Sequence, residues 1–206
     1  MNVNPKPYLR FWLSCWLLLS VCPIAMAQSN PDGLLSFNER RIKLNKRSML
    51  VLGGWATANI LAGSILAGRS EGTRKHFHQM NAYWNTVNLA IAGFGYYQAT
   101  KEIPSDIDLA GTVGQQYSIQ QALLFNTGLD IAYMAGGVYL VERSKNSSKY
   151  QARLKGFGQS LILQGAFLFA FDLSVFLMQQ SYQPELKELL SHIRLSPQGI
   201  GLRIRL

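Results

Sequence analysis

The chain has only two cysteines in its 206 residues, Cys15 and Cys22, and both fall in its first apolar segment. If that segment is removed, nothing downstream can form a disulfide, bind zinc through sulfur or attack as a thiolate. Histidine is nearly as scarce, with His76, His78 and His192 making the full set. A metal site usually gathers about three or four ligands, and two histidines two residues apart on a helix do not share a face. Neither a zinc-protease H-E-x-x-H, nor a G-x-S-x-G elbow, nor a phosphate loop occurs. No cofactor is therefore expected, and a non-enzymatic protein is favoured. An internal repeat is missing as well.

Charge is also sparse, at 15% of residues, but it is lopsided, with a net +9. Such an excess can serve nucleic acid or anionic lipid. Here the basic residues border apolar runs: Arg40, Arg41, Lys43, Lys46 and Arg47 precede one, and Lys145, Lys149, Arg153 and Lys155 precede another. That placement points to anionic lipid headgroups and away from nucleic acid. The mean hydropathy is near zero, because apolar residues are clustered, not few.

Residues 1–27 have the three parts of a secretory signal. Lys6 and Arg10 supply the positive end, Phe11 to Ile24 the apolar core, and Ala25-Met26-Ala27 the small-x-small cleavage pattern. Residues 28–35 form a short polar linker. Ser36 and Glu39 then match a capping box, so a helix is expected from Phe37 as a juxtamembrane extension. Four apolar segments follow, at about 49–68, 80–99, 119–141 and 157–178. Twenty residues at 1.5 Å each rise about 30 Å, the thickness of the hydrocarbon core. The intervening loops are expected at Arg69 to Lys75, Lys101 to Gln116 and Arg143 to Lys155. The tail, 181–206, holds a short helix near Glu185 to Ile193 and is otherwise unassigned. The expected fold is all-α, a transmembrane four-helix bundle over residues 36–180. Basic residues divide almost evenly between the two sides, so orientation rests on the signal, which places the mature N-terminus outside.

Polar side chains inside such segments are costly unless they face one another. Asn81, Asn85 and Asn88 recur at helical spacing in the second segment, Asn126 and Asp130 in the third, and Gln164 and Asp172 in the fourth; Asn59 stands four residues after Trp55 in the first. Counting helix rise from the outer side groups Asn59 with Asn88 and Asp130, Asn126 with Asp172, and Asn85 with Gln164. These eight form an expected buried polar network. Gly54, Ala58 and Ala62, with Gly63 and Ala67, form a small-residue pattern suited to close helix packing, within the chain or in a homo-oligomer.

Several strings resemble a family of small uncharacterised bacterial membrane proteins. They are Phe77-His78-Gln79-Met80-Asn81, Trp84-Asn85, Val87-Asn88-Leu89, the run from Leu124 to Asp130, Gln164-Gly165-Ala166-Phe167-Leu168, and Phe171-Asp172. The resemblance implies a multi-pass membrane protein and carries no activity or site residues with it; the expected location is the bacterial inner membrane. Three functional readings follow. The polar network fixes helix packing in a structural or accessory protein. Alternatively, Asp130 and Asp172 serve a proton- or cation-coupled carrier or sensor. In the third, His76 and His78 act on a lipid at the interface.

Overall fold

The computed structural model describes residues 31–191, 193–196 and 199–202. The expected signal segment and both cysteines lie outside the described residues. Four long helices dominate: α1 (Pro31–Gly68), α2 (Gly72–Lys101), α3 (Leu109–Ser144) and α4 (Gln151–Gln180). A single 3-10 turn, Pro104–Asp106, sits between α2 and α3, and a short helix, α5 (Gln183–Ser191), follows α4. The tail ends in an antiparallel hairpin of β1 (Ile193–Ser196) and β2 (Gly199–Leu202), with Ile193 opposite Leu202.

The helices outrun the apolar segments at nearly every end. Helix α1 starts at Pro31, not Phe37, so the capping box is not used: Ser36 lies within the helix and its hydroxyl donates to the Gly33 carbonyl. Helix α3 starts at Leu109, inside the expected loop, where Asp108 caps it by accepting from the Gly111 amide at 2.8 Å. Glycine and glutamine in 111–116 lower the hydropathy there without breaking a helix that has a good N-cap.

Helix α1 packs on α2, α2 on α4, and α4 on α3. Glycines set the closest approaches. A Cβ on Gly137 would lie 2.7 Å from the Gly158 carbonyl, and one on Gly158 2.5 Å from the Gly137 carbonyl, so α3 and α4 nearly touch backbone to backbone. Gly156 brings α4 equally close to α2, where a Cβ would lie 2.5 Å from the Thr73 carbonyl. On α1 the close approach is at Gly63, against the His78 carbonyl of α2. The small-residue pattern is thus used differently from the expectation. Gly63 and Ala56 are buried, while Gly54, Ala58 and Ala62 are exposed.

The helical extension before the first apolar segment is not free. Phe37 and Leu34 form an apolar cluster with Leu186 and Leu189 of α5, and Tyr182 meets the Phe37 ring edge-on at 6.1 Å. Asn38 donates to the Ile107 carbonyl at 3.2 Å and accepts from the Thr112 hydroxyl at 3.0 Å. Gln179 donates to Asn45 at 2.8 Å, and Gln116 donates to the Gln179 carbonyl at 2.9 Å. This end of the bundle is closed by side chains from α1, α3, α4 and α5.

Candidate functional site

Buried side chains in this molecule are largely polar. Asn81, Asn85, Asn88, Gln116, Gln120, Asp130, Ser160, Gln164, Asp172 and Gln179 all lie inside. Exposed positions carry Leu50, Val87, Ile91, Phe94, Phe125 and Leu177. The inward face of α2 shows how this arises. Asn81, Asn85 and Asn88 lie on one helical stripe, and Tyr83, Val87, Ile91 and Phe94 follow the same spacing on the opposite one.

Gln164 is the hub. Its amide oxygen accepts from the Trp55 indole at 3.0 Å, and its amide nitrogen donates to Asn81 at 3.0 Å and to Asn59 at 3.4 Å. Ser160 adds a 2.5 Å bond to the same Asn81 oxygen. Asn59 is further tied to the Trp55 carbonyl, and the Trp55 ring stacks on Phe167 with centroids 3.8 Å apart. One amide therefore joins α1, α2 and α4. Asn85 donates to the Asn81 carbonyl and Asn88 to the Asn85 side chain, so these two bond along their own helix.

Asp130 and Asp172 lie against each other across the α3–α4 contact. The second oxygen of Asp130, Oδ2, is buried without a partner. Gly165 allows the approach, since a Cβ there would lie 2.9 Å from the Asp130 carbonyl.

The layers read from helix rise are therefore displaced. Gln164 meets Asn81 where Asn85 was expected, and Asp172 meets Asp130 where Asn126 was expected. Each shift is four residues, about one helical turn, which a modest tilt or offset between helices produces. Asn126 is on the outer surface. The inward stripe of α3 runs through Gln120, Thr127, Asp130 and Gly137, and Asn126 is one residue, about 100°, away from Thr127.

Arg41 also departs from expectation. It is fully buried, and its Nη2 pairs with Glu102 at 2.9 Å, so it is no part of an exposed basic stripe. Arg40 and Lys43 are exposed, and Arg40 pairs with Glu185 of α5. Lys145 is exposed and pairs with Glu142, while Lys149 and Arg153 lie over the Tyr150 and Phe157 rings. His76 and His78 do not converge. His76 bonds Gln79 at 2.9 Å and meets Phe157 of α4, while His78 lines a separate cavity with Arg74, Phe77 and Gln159. Among the described residues no group of three acidic, histidine or cysteine side chains is placed to hold a metal.

The network around Gln164 had a sequence signal in its helical spacing. The buried Arg41, and Gln116 and Gln179 near it, had none, because a lone arginine beside other cations reads as surface.

These features define a helical protein with a polar interior and a small terminal hairpin, two of whose helical stretches, Asp32–Gly68 and Gln151–Ser191, are long and apolar enough to cross a membrane. The chain belongs to DUF6992, a family of unknown function whose model matches residues 51–173. No curated protein and no solved structure matches it.

Proposed function

We propose that this chain is a four-span protein of the bacterial inner membrane with a structural or accessory role, its buried amides fixing how the helices pack. The supporting observation is the distribution of polarity. Over 49–68, 79–100, 109–141 and 156–180 the only charged residues are Asp130 and Asp172, and both are buried. Each stretch is 20 residues or longer, enough for about 30 Å of helix. Asn81, Asn85 and Asn88 of α2 and Gln116, Gln120 and Asp130 of α3 are turned inward, while Phe94 is 67% and Phe125 68% exposed. Soluble monomers rarely leave such large contiguous apolar surface open to water.

Topology can be tested with single cysteines at Ser70→Cys, Ser105→Cys and Ser147→Cys, with Cys15 and Cys22 replaced by serine. The reading expects an impermeant thiol reagent to label position 105 in intact cells, and 70 and 147 only after permeabilisation. Labelling of 70 and 147 from opposite sides would remove it.

A second reading is favoured by one contact. Asp130 and Asp172 are the only charged residues in the bundle's middle and lie against each other, the kind of buried carboxyl pair a proton-coupled carrier or sensor uses. Asp130→Asn separates the two. An asparagine keeps a hydrogen-bond donor and acceptor toward Asp172, so the structural reading expects stability within about 1 kcal/mol of wild type and full complementation of a deletion strain. Lost complementation by a folded Asp130→Asn protein would transfer the function to the carboxyl pair. Nothing comparable supports a lipid-acting enzyme at His76 and His78, whose rings turn to different neighbours.

A further inference from the structure

The buried guanidinium of Arg41 uses one of its three nitrogens. Nη2 is taken by Glu102, whereas Nε and Nη1 are buried with no partner. An arginine side chain with 0% exposure would ordinarily have its remaining donors satisfied, because an unpaired buried N–H costs free energy, the more so on a charged group. Arg41 also forms part of the wall of a cavity of about 430 Å³ between the ends of α1, α2 and α3. Lys101, Gln98 and Ser118 stand at its exposed rim, and Gln115 lines it further in.

The charge on this wall does not cancel. Arg41 and Lys101 bring two positive charges, and Glu102 offsets one, so the cavity carries a net +1. Arginine and lysine donate only, the Ser118 hydroxyl and the two glutamine amides can donate, and Glu102 already accepts from Arg41. Gln115 Oε1 is a buried acceptor without a partner, but the charged donors outweigh the acceptors, and the surplus positive charge favours an oxyanion. Arginine's planar fork suits phosphate oxygens in particular, and lysine adds a point charge. We infer that this cavity is a binding site for a phosphate-bearing anion, held by Arg41 from within and Lys101 at the rim.

The site lies outside the matched family region at its Arg41 end, since that region begins at residue 51. It also stands apart from the polar hub, and it holds whether or not the helices span a membrane. Only a lipid source for the phosphate rests on the membrane reading. There, Arg41 and Lys101 lie outside the uncharged stretches 49–68 and 79–100, toward the headgroups, so an anionic phospholipid and free inorganic phosphate offer the same chemistry.

The experiment uses the full chain purified in detergent. Binding is followed by thermal stabilisation and by native mass spectrometry, with phosphatidylglycerol, phosphatidylcholine and inorganic phosphate as probes. Phosphatidylglycerol or phosphate should bind and raise the melting temperature, and phosphatidylcholine should do neither. Competition by millimolar phosphate assigns a free oxyanion, and its absence assigns the lipid; either supports the site. Because Arg41→Gln removes a buried ion pair and so tests fold and site together, the decisive variants are at the exposed rim. Lys101→Gln should weaken binding about tenfold, the equivalent of one charge-assisted hydrogen bond. Lys101→Glu should abolish it, and Lys101→Arg should keep it. Equal binding by wild type and Lys101→Glu, or binding of phosphatidylcholine as tight as that of phosphatidylglycerol, overturns the proposal, as does failure of both anionic probes to bind.

Discussion

Gly158→Leu is expected to leave no monodisperse protein after detergent extraction, whereas Gly136→Ala, on the facing helix, should be extracted as well as wild type. The contrast follows from what a side chain would meet. At Gly158 a Cβ alone would lie 2.5 Å from the Gly137 carbonyl and 2.9 Å from the Val141 amide nitrogen, so relief requires α3 and α4 to part. Backbone cannot rotate aside as a side-chain end can. Overpacking a well-filled interior typically costs about 1–3 kcal/mol, and here a whole branched side chain enters a backbone contact, so the cost should lie at or above the top of that range. Moving α3 from α4 also pulls Asp130 from Asp172 and leaves two carboxyls to be satisfied separately. Gly136 has nothing within 4 Å of its Cβ position, and alanine favours helix over glycine by up to about 1 kcal/mol. Size-exclusion profiles of the two variants decide the matter, and a Gly158→Leu protein eluting and melting like wild type would show that the two helices do not meet this closely.

Gln164→Leu should be the most damaging change that keeps side-chain volume nearly constant. It removes three hydrogen bonds at once and strands the Trp55 indole, while the Asn81 side-chain oxygen keeps its bond from Ser160. Interhelical hydrogen bonds inside membranes average about 0.6 kcal/mol and reach about 1.7. Three of them, with buried groups left unpaired, put the loss at about 2–4 kcal/mol. Unfolding in mixed micelles of increasing SDS fraction measures it. Ser160→Ala, which takes away only one bond from Asn81, should cost about 1 kcal/mol or less. Equal stabilities for Gln164→Leu and Ser160→Ala would mean that Gln164 is no hub.

Much of this arrangement could be read from residue spacing, and the part that could not has a physical reason. Asn81, Asn85 and Asn88 recur every three to four residues among apolar neighbours, and that rhythm alone assigns them one face; the structure turns that face inward. Which partner each would meet depended on axial offset between helices, which composition does not encode. Pairings were accordingly misassigned by one turn, with Asp172 reaching Asp130 and not Asn126. Asn126 shows a second limit. It lies four residues from Asp130, and a four-residue step rotates by about 40°; that was enough, at the edge of the inward stripe, to turn it out. Helix ends were legible only where hydropathy changed. The first turns of α3, rich in glycine and glutamine, read as loop because their packing partners, Gln179 and Asn38, are distant in sequence.

The connections between helices divide the molecule into two halves. Residues 69–71 join α1 to α2, and 145–150 join α3 to α4, so each pair is a hairpin whose contacts close over a short stretch of chain. Local closure of this kind loses little chain entropy and is fast. The α2–α4 seam joins groups some 80 residues apart, as in the bonds from Asn81 to Ser160 and Gln164. Assembly thus has a natural order, with hairpins first and the seam last, and the amide hub is the latch that registers two preformed halves.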